Sequence, residues 1–268
     1  MTMSTQHERK PWSARTRETR DVLDWRRLHA LEALWNPGTL ALLDRLGIGP
    51  GWRCLEAGAG IGSVAHWLAD RCPRGLVVAT DIDVRYMSGE PRPNLDFLFH
   101  DLVDGADFPE AHFDLIHCRA VLAHVPEREH VLERAVRWLR PGGWLVVEEP
   151  ALFPVDSSPH PLFRTCVEAH ARLMEESIGT DLRWARTLPA ALGRAGLHCA
   201  GMTAQAVAVG DGGPGDEFWQ VSFEQLGPAM VDAGMVDTAD LEQVRASLDG
   251  SEIHDLSWAL VAAWARTV

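Results

Sequence analysis

The 268-residue sequence predicts an α/β fold, a doubly wound and mostly parallel sheet with helical insertions late in the chain. Three observations carry that prediction. Short apolar runs of strand length alternate with stretches of helical period. A glycine cluster follows the first such run, where a strand would turn into a helix. The rhythm then changes after Pro150. Strands covered by helices on both faces read as continuous apolar runs, the pattern of a parallel sheet.

The elements follow in order. Residues 1–20 are polar and expected to be flexible, with a single domain over 21–268. Residues 21–34 read as a helix, with Val22, Trp25, Leu28, Leu31 and Leu34 at helical spacing. A second helix covers 39–46, and the glycines of 47–51 end it. The first strand is 53–56, followed by Gly58, Gly60 and Gly62 and a helix running to about residue 71. Further strands are predicted at 76–80, 95–100 and 113–118, then a helix over 127–139. Pro141, Gly142 and Gly143 punctuate the chain before a fifth strand at 144–148. Beyond a proline-rich loop at 151–161, helices are expected at 162–178 and 188–195, and strands at 203–209 and 258–265. A helical stretch at 217–248 separates those last two strands. The segments 151–183 and 211–255 thus read as insertions suited to a cap or lid.

Composition narrows the class. Net charge is −13, from 38 acidic residues against 25 basic ones, and Lys10 is the single lysine. Such a body gains no general attraction to phosphate backbones, so nucleic acid and anionic membranes are not expected partners. No run is long and apolar enough to span a bilayer, and the first residues lack the hydrophobic block of a secretory signal. The five cysteines form no C-x-x-C pair, which fits a reducing cytoplasm and buried free thiols. From Gln205 onward 11 acidic residues face only Arg245 and Arg266, so pairing with the arginine-rich N-terminus of a second copy would give a homodimer.

Ligands of open α/β sheets sit beyond the carboxyl ends of the strands. Three carboxylates fall there: Glu56, Asp81 and Asp101. Asp81 follows the second strand 21 residues after Gly60, where an acidic side chain accepts the hydroxyls of a ribose. Asp101 could accept from an adenine amine, and Glu56 could serve a cationic amine. Gly58, Gly60 and Gly62 are not the dinucleotide fingerprint, because Ser63 stands where its third glycine would be. The lysine and hydroxyl of a nucleoside-triphosphate loop are absent too. One adenosine, a positive centre and an amino-acid tail suit this polarity, and S-adenosylmethionine is that molecule.

Here the sequence resembles class I S-adenosylmethionine-dependent methyltransferases over residues 50–149. The matching segments are L-E-A-G-A-G-I-G at 55–62, V-V-A-T-D-I-D at 77–83, F-H-D-L at 99–102, F-D-L-I-H-C-R at 113–119 and L-R-P-G-G-W-L at 139–145. The resemblance implies a Rossmann-like, seven-stranded sheet ending in an antiparallel hairpin. It implies that Gly58 and Gly60 lie under the methionine part of the cofactor, that Asp81 holds the ribose, and that Asp101 meets the adenine amine. Ile82 is expected to pack on the adenine, Leu102 to lie near it, and Arg119 to sit by the methionine end. The general look is of the bacterial small-molecule branch, including enzymes that decorate natural products.

The implied function is methyl transfer to a small organic acceptor, an oxygen of a secondary metabolite. Such a displacement needs alignment of donor and acceptor and, for many acceptors, removal of a proton. His170, in the expected cap, is the candidate base. The ordinary alternative for His124 is a packing residue on a short helix. Trp12, Trp25, Trp35, Trp184 and Trp219 could line a flat apolar pocket, although each alone reads as core. No cluster has metal-ligand spacing, and no metal is expected. Asn36, Pro37 and Gly38 do not make the N-P-P-Y of amino-methylating nucleic-acid enzymes. A cyclisation or rearrangement on the same cofactor, and a non-catalytic binding protein, are the alternatives.

Overall fold

The computed structural model describes residues 17–250 and 252–267. Residues 1–16 of the expected flexible segment, Trp12 among them, lie outside the described residues, and residues 17–20 are already helical.

Seven strands form one sheet: β1 (Arg53–Ala57), β2 (Leu76–Asp81), β3 (Leu95–Phe99), β4 (Phe113–Arg119), β5 (Leu139–Ala151), β6 (His198–Val209) and β7 (Asp255–Arg266), in the order β3-β2-β1-β4-β5-β7-β6. The first five run parallel, and β7 is antiparallel to both its neighbours. The order reverses between β1 and β4, so a crevice opens there at the carboxyl ends. The apolar runs make these strands because both faces are covered: Leu55, Val77, Leu115, Ile116, Val146 and Val147 are all buried.

Among the described residues there are seven α-helices: α1 (Arg17–Arg45), α2 (Ser63–Arg71), α3 (Arg128–Trp138), α4 (Pro161–Ile178), α5 (Leu188–Arg194), α6 (Pro214–Asp232) and α7 (Thr238–Asp249). One core packs α2 and Leu42 and Leu43 of α1 against the sheet; a second packs α3 and α5 against it. A third, built on Trp35, Phe163, Trp219, Phe223 and Trp258, joins α1, α4, α6 and α7 to the start of β7 and the end of β6. That third core lies over the carboxyl edge of the parallel strands.

Several boundaries differ from expectation; β6, for one, begins at His198, five residues before the predicted start. The two predicted N-terminal helices are one, α1, which continues through Pro37. Proline removes one helix hydrogen bond and normally interrupts the element, but side-chain bonds from Asn36 and Thr39 to the sheet and to α2 hold the chain on either side of it. Strand β5 begins at Leu139, five residues before the predicted start, because Pro141–Gly143 is a register shift inside the ladder with β4. The helical stretch at 217–248 is two helices, separated where Gly234 takes a φ of 66°. None of the described helices is long and apolar enough to cross a membrane.

Candidate cofactor and acceptor site

The glycine turn is fixed from beneath. The amides of Gly58 and Ala59 both donate to the carbonyl of Thr80, at 2.8 and 2.9 Å. The amide of Gly60 donates to Asp81 Oδ2 at 2.9 Å. Gly58 has a φ of 75°, and a Cβ there would lie 2.1 Å from Cγ2 of Val121, so only glycine fits. The turn and the loop after β4 are thus in direct contact.

Asp81 also accepts the amide of Asp83 on Oδ1 at 3.0 Å. Each of its oxygens keeps a second lone pair for a ligand. Burial raises its pKa against the lowering effect of those amides. Ile82 next to it is 57% exposed, an apolar platform at the strand end. Asp101, just past β3, uses Oδ1 for the amides of Val103 and Asp104 at 2.8 and 3.4 Å, and no described residue donates to Oδ2. Leu102 is buried, and its carbonyl accepts from Arg134 Nη1 at 2.7 Å.

Glu56 points into a different network. Its Oε2 lies 2.7 Å from His117 Nδ1, while His117 Nε2 lies 3.0 Å from Glu148 Oε2. All three are buried. Burial alone would strip the imidazole of its proton, but the two carboxylates outweigh it and push its pKa up to about 9. The ring is therefore an imidazolium donating to both. Glu148 also accepts from Thr39 Oγ1 at 2.6 Å, and Thr39 Oγ1 accepts from Arg119 Nη1 at 2.9 Å. Arg119 Nη2 donates to Asn36 Oδ1 at 3.0 Å, and Asn36 Nδ2 donates to Ser63 Oγ at 3.0 Å. Glu32 closes the chain by accepting the Ser63 amide at 3.1 Å, which caps the otherwise bare start of α2.

The loop after β4 hangs on Glu149. Its carboxylate accepts the amides of Val121, Leu122 and Ala123 at 3.2, 2.7 and 3.2 Å. Burial, against those bonds, pushes it up to about 7. The same loop carries His124, whose Nδ1 lies 2.8 Å from Thr180 Oγ1. His170 lies in α4, buried, with its ring centroid 5.3 Å from that of Trp219. Burial first, then the charges of Arg27 and His124, push His170 down to about 3.

The profile of a methyltransferase-domain family matches residues 25–198, more than half of the chain. The chain belongs to that family. A methyltransferase of Strobilurus tenacellus, str2, is 31% identical over 176 residues, covering 63% of this chain and 61% of that one. Trans-aconitate 2-methyltransferase of Mycobacterium tuberculosis is 30% identical over 137 residues, covering 50% of this chain and 51% of its own. The matches thus span between half and two thirds of these relatives' lengths. Haemonchus contortus phosphoethanolamine N-methyltransferase 2, solved with S-adenosyl-L-methionine, superposes with a TM-score of 0.55 at 17% identity, covering 96% of this chain and 62% of that one, which shows the shared fold.

S-adenosylmethionine is the cofactor that methyltransferases of this kind use, and the residues at the crevice fit it. Gly58, Gly60, Asp81, Ile82 and Asp101 lie together at the ends of β1, β2 and β3, with acceptor capacity on both aspartates and an exposed apolar side chain between them. Leu102 adjoins them from the core side. Glu56 and Arg119 are one step removed, engaged with His117 and with α1. His170 stands apart in the helical layer. Among the described residues no group of three or more His, Cys, Asp or Glu could hold a metal.

Sequence reasoning missed Glu32, Thr39, Glu148 and Glu149, and it weighed Asn36 only as part of an N-P-G that does not match N-P-P-Y. The signal was present: Glu32, Asn36 and Thr39 fall at i, i+4 and i+7, one polar stripe along α1. The Glu148–Glu149 pair inside an apolar strand was the second sign, since buried carboxylates require partners.

Proposed function

We propose that the protein transfers a methyl group from S-adenosylmethionine to an oxygen of a small organic acceptor, a secondary metabolite. The observation that carries this reading is the Asp81–Gly60 cradle, which joins a ribose acceptor to the glycine turn beside an exposed Ile82. When bound, the cofactor supplies an electrophilic sulfonium methyl; the acceptor oxygen forms the new C–O bond as the C–S bond breaks.

The chain's own residues do the rest. Asp81 and Asp101 hold the adenosine, and Gly58 and Gly60 let the backbone approach the methionine part. Arg119 and Glu56 shape that end through the α1 network. Glu149 holds the loop after β4 in register, with Val121 seated on Gly58. The insertions 151–183 and 211–255, with α1, are the cap that excludes water from the reacting atoms.

Oxygen is favoured by the state of the histidines. His170 and His124 are pushed down to about 3 and about 4 by burial and by Arg27, so neither is a strong base. An acceptor that is already anionic, such as a carboxylate or phenolate, needs no strong base. Neutral His170 then orients that oxygen, and its lowered pKa makes it a poor base. One relative is named for trans-aconitate, a carboxylic acid. The net charge of −13 and the five free cysteines support action in the cytoplasm away from nucleic acid, and the charge asymmetry of the chain ends supports a homodimer.

The test is incubation with methyl-labelled S-adenosylmethionine and a panel of small acids and phenols. Release of S-adenosylhomocysteine with a product heavier by one methylene supports the reading. Rearranged product with the cofactor left intact rejects it.

A further inference from the structure

Buried polar atoms without a partner are rare in folded proteins and each calls for a reason. Among the described residues eight buried side-chain atoms make no hydrogen bond, one of them (Asp114 Oδ1) being ion-paired with Arg140, and six belong to the helical layer and the adjoining end of β7: Nε1 of Trp35, Trp219 and Trp258, Nδ1 of His170, and the hydroxyls of Ser222 and Ser257. That concentration is the observation, because random packing faults would be scattered.

The four rings form one connected group. Trp35 and Trp258 have centroids 5.5 Å apart, Trp258 and Trp219 5.4 Å, and Trp219 and His170 5.3 Å. They come from α1, β7, α6 and α4, so the group sits where the expected cap meets the carboxyl edge of the sheet. Indole N–H groups only donate. Three of them in one apolar place ask for acceptor oxygens and are useless to an amine. Aromatic rings around those donors favour contact with an unsaturated molecule.

We infer that Trp35, His170, Trp219 and Trp258 line the acceptor chamber, and that it takes a planar, unsaturated organic acid bearing two or more acceptor oxygens. The inference rests on the methyltransferase reading and adds the substrate class to it. In this structure α1 and α6 close over the group. On the outside their seam is joined by Arg26 with Glu217 at 2.9 Å and by Gln225 with Asp24 at 2.7 Å. The first of these is exposed and weak, the second part-buried, and this seam is the place where the chamber opens.

The experiment is calorimetric titration of the full chain with trans-cinnamate and trans-aconitate, with its saturated analogue 3-phenylpropanoate as the control for cinnamate. Each titration is run with and without S-adenosylhomocysteine. The two unsaturated acids should bind, and 3-phenylpropanoate should bind more weakly than trans-cinnamate. Trp219→Phe and His170→Phe should each weaken the binding by about tenfold, as loss of one buried hydrogen bond does. Neither should alter affinity for S-adenosylhomocysteine. Ser222→Ala and Ser257→Ala, which remove orphaned hydroxyls, should leave the melting temperature of the ligand-free protein unchanged or higher. Wild-type affinity for the acids in the Trp219 and His170 variants would overturn the proposal, as would no acid binding in either state. Acid binding without any affinity for S-adenosylhomocysteine would keep the chamber and sink the methyltransferase reading instead.

Discussion

His117 and Glu56, on the adjacent strands β4 and β1, meet at 2.7 Å between Nδ1 and Oε2 with both side chains shut off from solvent. A buried charge is tolerated only when paired, and here one imidazolium serves two carboxylates, the second being Glu148. The trio bolts three strands together directly behind the glycine turn. Through Thr39 and Arg119 it also fixes α1.

Removing the ring should therefore be severe. His117→Phe keeps the volume but takes from Glu56 and Glu148 the cation they share, leaving Glu148 only its bond from Thr39, and a loss of about 3–5 kcal/mol is expected. Urea unfolding measures it. His117→Gln, which can still donate, should lose less.

Stability should fall on both sides of neutrality. His124 and His170 are held neutral, near 4 and 3, against an ordinary value of 6.5. Their contribution is present above 6.5 and is lost as pH falls, because the unfolded chain then binds more protons. Glu149, raised to about 7 from 4.5, opposes one of them, its contribution being present below 4.5 and lost as pH rises through 7. A net loss on acidification remains. His117 runs the other way: its contribution is full below 6.5 and disappears as pH climbs through about 9. Urea midpoints from pH 4 to 9 should trace this curve, and His170→Phe should flatten its acid limb.

At the turn itself, Gly58→Ala adds a Cβ 2.1 Å from Val121 Cγ2 at a φ of 75°. Left-handed backbone alone costs about 1–2 kcal/mol for a residue with a side chain. The variant should melt lower and bind S-adenosylhomocysteine more weakly. Adding Val121→Ala should restore the part due to the clash and leave the backbone part, which a double-mutant cycle separates.

Thr39 is the hub between α1 and the sheet. Thr39→Val keeps the shape and removes both bonds, leaving Glu148 and Arg119 each short of one partner. A loss on the order of 2 kcal/mol is expected, with weaker cofactor binding as Arg119 loosens. Chemical denaturation and calorimetry on the same sample check the two effects.

Much of the architecture could be read from the sequence because local and global signals agree in its first half. The cores of β1 to β4 are short runs rich in apolar residues, and the structure places each within two residues of the expected bounds. Pro37 misled because its local effect is overridden by bonds from Asn36 and Thr39 to partners 27 and 109 positions away. Pro141–Gly143 misled because a bulge and a strand end use the same residues. At the site, Asp81 and Asp101 announced themselves by position relative to a strand end. Glu56 did too, but its partner His117 lies 61 positions along, a pairing no local pattern encodes. His170 was legible only as a histidine on a helix; its burial against Trp219 is a tertiary fact.

The central claim is that Asp81, tied to the Gly60 amide at 2.9 Å, holds the ribose of an adenosyl cofactor. Calorimetric titration of S-adenosylhomocysteine into the wild type and Asp81→Ala tests it most directly. The account predicts clear binding by the wild type and a loss on the order of tenfold to a hundredfold in the variant, the worth of charge-assisted hydrogen bonds. Equal affinity in the two proteins, or none in the wild type, would contradict it.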